Sequence, residues 1–128
     1  MKRFLYATLV LVVLLTACSS SQAKPQPTNP EAAIEADAGK EFTLVLESNP
    51  TTGYHWEIVG DLDGAVVEFV GQEYQSTSQP GLAGGGGLDI WTFKAVGAGE
   101  TTITLGHYPP SNDPIDPEET QTFTVIVK

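Results

Sequence analysis

Side chains that could do chemistry are few in this sequence and poorly spaced for catalysis. It holds one cysteine, Cys18, and two histidines, His55 and His107. A zinc site would need both histidines plus carboxylates, because Cys18 sits in a segment with another use. Asn112, Asp113, Asp116, Glu118 and Glu119 form an oxygen-rich stretch of the kind calcium binds. The prolines among them break any recognised ligand spacing, so a solvated acidic loop is the expectation. Gly84, Gly85, Gly86 and Gly87 could cradle a phosphate only before a helix start, usually with a lysine. Here Leu88-Asp89-Ile90-Trp91 follows, which reads as a strand. Serine, histidine and aspartate are all present, yet no nucleophile-elbow context surrounds any serine. We therefore expect no catalytic residue, no metal, no cofactor and no enzyme.

One short segment has sharper chemistry: Asn49-Pro50-Thr51-Thr52-Gly53-Tyr54-His55-Trp56. Asn-Pro starts a turn, and Pro50 fixes φ and removes a donor. Thr51 and Thr52 are β-branched and stiff at χ1. Gly53 permits the positive φ that turns the chain back. Tyr54 and Trp56 then point to one side as a strand resumes, with His55 facing away. The local physics predicts a small, uncharged, stiff loop tip that offers hydroxyls and backbone groups. Turn chemistry alone leaves open whether that tip has a partner.

The segments around the tip read as β-structure. From about Ile34 onward the pattern has period two, the spacing that puts alternate side chains on opposite faces of a strand. Phe42, Leu44 and Leu46 alternate with Thr43, Val45 and Glu47. Trp56 and Ile58, then Trp91, Phe93 and Ala95, then Ile103 and Leu105, then Phe123, Val125 and Val127 repeat the theme. Residues 66–74 form a further apolar-rich run. Ala38-Gly39, Asp63-Gly64 and Gly97-Ala98-Gly99-Glu100 mark turns. No stretch carries a helical stripe. The fold class is therefore all-β, an antiparallel β-sandwich of about seven strands. Residues 75–87 and 108–120 are too long and irregular for minimal hairpins, and long loops on a sandwich usually carry function or disorder.

The N-terminal part reads differently. Met1-Lys2-Arg3 precedes an apolar run over residues 4–15, too short for a spanning helix of about 20 residues. It ends in Leu15-Thr16-Ala17-Cys18, the pattern of a bacterial lipobox. Residues 1–17 are then a lipoprotein signal peptide, and Cys18 becomes an acylated N-terminus that forms neither a disulfide nor a catalytic thiol. Two or more acyl chains would anchor it stably to a membrane. The expected location is extracytoplasmic, at the outer membrane of a Gram-negative cell or the outer face of a Gram-positive plasma membrane. Residues 18–33 are a proline-containing spacer that would reach roughly 20 Å. Residues 34–128 are one domain. Without the signal peptide the net charge is about −12. Such a surface repels phosphate backbones, so no nucleic-acid partner is expected. A monomer is expected.

Residues 49–54 match, without a mismatch, the NPTTGY signature of chagasin-like inhibitors of papain-type cysteine proteases. Trp56 also falls where that family places an aromatic residue. Gly84–Gly87 with Ile90-Trp91-Thr92-Phe93-Lys94-Ala95 resemble the family's glycine-rich loop and the strand after it. Gly99-Glu100-Thr101-Thr102-Ile103-Thr104-Leu105 and Phe123-Thr124-Val125-Ile126-Val127 are similar too. The resemblance implies an Ig-like sandwich whose three loops gather at one end and wedge into a protease cleft. It places Thr51, Thr52 and Gly53 nearest the catalytic Cys-His pair, with Asn49, Pro50 and Tyr54 shaping the tip. Gly84, Gly85, Gly86 and Gly87 would form the second contact, and Tyr108, Pro109 and Pro110 the third. The third loop departs from the family pattern: His107-Tyr108-Pro109-Pro110-Ser111 keeps a proline but lacks the usual arginine and tryptophan. That departure supports an alternative, a cell-surface adhesion or assembly module that has lost the inhibitory role.

Overall fold

The computed structural model describes residues 25–77 and 85–128. The expectations placed on Cys18, on residues 1–24 and on Gly84 fall outside this range. Among the described residues, seven strands form two sheets: β1 (Ile34–Ala36), β2 (Glu41–Ser48), β3 (His55–Val59), β4 (Val67–Ser76), β5 (Gly87–Ala95), β6 (Gly99–Tyr108) and β7 (Glu119–Val127). One sheet has the order β1-β7-β6-β3 and the other β2-β5-β4. Every pairing is antiparallel except β1 with β7. The molecule is the β-sandwich that the alternation anticipates, in the Ig-like form that the resemblance implies. Five of the six expected runs bury the face their period marks out, and β1 is too short for periodicity to reveal.

The core lies between the sheets. Leu44, Leu46, Trp91, Phe93 and Ala95 face it from one side. Trp56, Ile103, Leu105, Phe123, Val125 and Val127 face it from the other. Burying each of the leucine, isoleucine, valine and phenylalanine side chains contributes about 1.5–3 kcal/mol. The run over residues 66–74 behaves differently, because β4 pairs only with β5 and forms an edge. Val66 and Val67 are buried, whereas Phe69, Val70 and Tyr74 stay exposed. A register shift between Phe69 and Gly71 bends this edge, and Glu68 and Glu73 charge it, which discourages pairing with another chain.

Register decides which turns meet. Gly87 pairs with both Ser48 and Ser76, so the end of β2, the end of β4 and the start of β5 are level. His55 pairs with Tyr108, and His107 with Glu119, which levels the start of β3, the end of β6 and the start of β7. Residues 49–54 cross from one sheet to the other between these two sets. One pole of the sandwich therefore carries the connections 49–54 and 109–118 and, of the stretch between β4 and β5, the described residues Thr77, Gly85 and Gly86. The connections 37–40, 60–66 and 96–98 lie at the opposite pole.

The stretch expected to be a spacer is partly held. Thr28 N–H donates to the Val45 carbonyl (2.8 Å), and Val45 N–H donates to Thr28 Oγ1 (2.9 Å). The chain thus covers the free edge of β2 before it crosses to β1. Only three dimensions bring these two residues together, so no local pattern announces the contact.

Candidate functional site

The tip over residues 49–54 is a single 3-10 turn, Pro50–Thr52, and Asn49 organises it. Asn49 Oδ1 accepts from Thr51 N–H (3.3 Å) and from Thr51 Oγ1 (2.6 Å). The Asn49 carbonyl accepts from Thr52 N–H (3.2 Å) and from Thr52 Oγ1 (2.7 Å). Gly53 closes the turn in the left-handed region, at φ 82, and donates to the Pro50 carbonyl (3.1 Å). An asparagine at this cap satisfies N–H groups that a short turn would otherwise leave unpaired. The stiffness expected of the tip has these bonds as its cause. Both threonine hydroxyl protons are spent inside the turn. What the hydroxyls present outward is acceptor oxygen and methyl, not a donor.

The third connection buttresses the tip. A Cβ on Gly53 would lie 2.9 Å from Pro110 Cβ, so the tip backbone rests against that proline. Below it, the His107 ring stacks on Tyr54 (centroids 5.0 Å) and tilts against Trp56 (4.6 Å). Trp56 Nε1 donates to the Glu47 carbonyl (3.0 Å), which ties β3 to the end of β2. His55 faces away, as its alternation with Tyr54 and Trp56 requires. It stacks on Tyr108 (5.8 Å) and approaches Glu57 Oε1 (3.2 Å) at the exposed surface. Tyr108 is therefore occupied on the outer face of β6, Pro109 is half-buried, and Pro110 is the member of the trio that touches the tip. Glu118 N–H donates to the His107 carbonyl (2.9 Å) and pins the base of this connection. The Tyr54 hydroxyl donates to Glu118 Oε1 (3.4 Å). The Glu118 carboxylate, with a smaller part from burial, holds the Tyr54 phenol above its ordinary value of 10.0.

The glycine connection is closed at its base by Thr77, whose N–H and Oγ1 both donate to the Gly86 carbonyl (3.2 and 3.1 Å). Gly85 and Gly86 are half-exposed at the pole, while Gly87 is buried. A Cβ on Gly87 would collide with the Gln75 carbonyl and the Tyr74 ring, so this glycine is needed for packing. Between the two loops lies a groove of about 650 Å³. Asn49, Thr52 and Tyr54 line it from the tip, Thr77 and Gly86 from the glycine connection, and His107 from β6. Pro25, Gln26 and Pro27 line it as well. His107, Glu118, Thr77 and this proline segment are the parts of the site that motif reading did not single out as such. For His107 a signal existed: aromatic residues two apart, Tyr54 and Trp56, offer one face of β3 to whatever strand pairs beside them.

Residues 35–127 match the model of the chagasin family of peptidase inhibitors, I42. The chain belongs to the chagasin family. Proteins of this family are inhibitors, and the chain is not an enzyme. Solved structures resemble it over most of its length. The cysteine protease inhibitor EhICP2 of Entamoeba histolytica shares the fold at 23% identity, with a TM-score of 0.61 over 75% of this chain and 86% of that one. Amebosin is 28% identical, with a TM-score of 0.59 over 78% and 91% of the two chains. Leishmania mexicana ICP is 29% identical, with a TM-score of 0.55 over 83% and 96%. No curated protein sequence is a significant match.

Proposed function

We propose that this chagasin-family chain is a reversible, non-covalent inhibitor of papain-type cysteine proteases, acting through the pole that carries residues 49–54, 77, 85–86 and 109–118. The observation that carries the reading is the Asn49-capped turn, held at the same pole as the glycine connection and backed by Pro110. Family membership supplies the inhibitory role, and one of the similar structures, EhICP2, is a cysteine protease inhibitor.

The physics suits a plug. A tip whose donors are internally paired loses little entropy on docking, so more of its contact energy appears as affinity. Its backbone is folded into a turn, so it does not offer an extended peptide carbonyl in line with a nucleophile, and cleavage is slow. Thr51, Thr52 and Gly53 enter the cleft. Asn49, Pro50 and Tyr54 shape the tip. Gly84, Gly85 and Gly86 let backbone approach one cleft wall, and Pro109 and Pro110 support the other side. The arginine and tryptophan usual in the third loop have no counterpart here, and Tyr108 is stacked on His55, so that loop acts chiefly as a buttress. The lipobox adds an anchor: acylation at Cys18 holds the inhibitor outside the cytoplasm on a bacterial membrane, as a monomer.

The test is an inhibition assay on papain with the full chain and its Thr52→Glu variant. The variant should raise the inhibition constant by roughly 30-fold or more, as truncating or blocking a central contact does. Thr52 is exposed and its bonds are local, so the melting temperature should hardly change. Equal inhibition by the variant would remove the tip as the binding element. Failure of the parent chain to inhibit papain and cathepsin L would favour an adhesion module.

A further inference from the structure

The proline segment upstream of β1 lies at the pole that carries the tip. Pro25, Gln26 and Pro27 are exposed, yet they form one wall of a groove that Asn49, Thr52, Thr77, His107, Glu47 and Glu118 also line. Their position is built, because Thr28 immediately follows and is tied by two hydrogen bonds to Val45 on the edge of β2. Beyond it, Ala32 N–H donates to the Asn29 carbonyl (3.3 Å) and Glu31 N–H to Asn29 Oδ1 (3.0 Å), a turn that commits the chain to β1. The segment is thereby aimed at the pole from a fixed point one residue away.

Its composition fits contact with the same partner. Pro25 and Pro27 have fixed φ, and Gln26, as the residue before a proline, is restricted to extended backbone. The ordering cost of docking such a segment is low. Proline also lacks an N–H, so the segment cannot form the regular backbone ladder a peptidase uses to seat a substrate strand. Residues 25–28 carry no charge, as residues 49–54 carry none, in a chain whose net charge is −10. Two carboxylates, Glu47 and Glu118, also line this groove, while Asp113 and Asp116 lie in the connection between β6 and β7.

We propose that Pro25-Gln26-Pro27 is a fourth protease-contacting segment, pinned by Thr28 to β2 and docking beside the tip and the glycine connection. The proposal rests on the reading of the chain as a papain-type protease inhibitor. A full-length chain with Pro25→Gly, Gln26→Ser and Pro27→Gly is compared with the parent chain and with Thr52→Glu, measuring papain inhibition and melting temperature for each. The triple variant should raise the inhibition constant about tenfold at an unchanged melting temperature, a loss typical of a secondary contact. An unchanged inhibition constant in the triple variant, with inhibition lost in Thr52→Glu, overturns the fourth contact and leaves the parent reading standing. Tighter inhibition by the triple variant also overturns it, since the segment would then be a cover that must leave. A parent chain that does not inhibit papain overturns both readings together.

Discussion

At the residue scale, the tip depends on one glycine whose requirement is both conformational and steric. Gly53 sits at φ 82 with Pro110 Cβ where its own Cβ would go. Gly53→Ala should cost about 1–2 kcal/mol from the left-handed backbone alone, with more from the collision. Thermal unfolding should show a lower melting temperature, and papain inhibition should weaken because the turn cannot keep its shape. A second residue makes a pH prediction. Asp89 is 4% exposed on the core face of β5, between Leu46 and Tyr74, and accepts from Gln72 Nε2 (2.8 Å). Burial pushes its carboxyl above 3.8, while the Gln72 bond works weakly the other way. The folded state thus binds the proton more tightly than the unfolded one. Its contribution to stability is greatest in acid and falls as pH rises through the raised value. Asp89→Asn should therefore gain stability relative to the parent at neutral pH, and the gain should vanish below pH 3.8. Parallel denaturation curves at the two pH values check this; a gain that is larger in acid would contradict the assignment.

At the scale of elements, β5 and β7 organise the two sheets. β5 is the central strand of its sheet, and β7 links β1 to β6 in the other. Phe123 on β7 and Phe93 on β5 are fully buried. Phe123→Ala should destabilise the domain by about 3–5 kcal/mol, the cost of an aromatic removed from a core that cannot fully collapse. Urea denaturation of the variant measures this directly, and a loss under 1 kcal/mol would show that the sheets repack around the gap. The hairpin β6–β7 also explains how a third loop without arginine or tryptophan still serves the tip. Glu118 and His107 pin its base, Pro117 covers Gly106, and Pro110 is delivered onto Gly53. Strand alternation made five of these elements readable in the sequence. The sixth run, over residues 66–74, showed apolar content but not its exposure, because edge position is a property of the sheet. β1 escaped notice as a strand because three residues, Ile34–Ala36, are too few to display a period.

At the scale of the whole molecule, the sandwich separates two jobs. One pole carries the neutral tip, its companions and the proline segment, while the other closes the strands. Residues 25–28 run along the first pole, the end proposed to meet the protease. The anchor proposed at Cys18 makes its own prediction. Cys18→Ser should shift the protein from the membrane to the soluble fraction on cell fractionation, with papain inhibition by the released chain intact. An unshifted protein would point to a different attachment.

The sequence by itself determined the class of fold and the turn at the tip. Each of these rests on interactions within a few residues: alternation along a strand, and an asparagine cap over two threonines. It also determined, by a six-residue signature, the family to which the chain belongs. Tertiary structure decided which turns share a pole, because sheet register alone levels Ser48, Gly87 and Ser76. It also decided that His107 fits between Tyr54 and Trp56, that Pro110 backs Gly53, and that Asp89 is buried. Those contacts join residues far apart in the chain, and no local preference encodes them; they exist only because burying two apolar sheet faces against each other brings the strand ends into line.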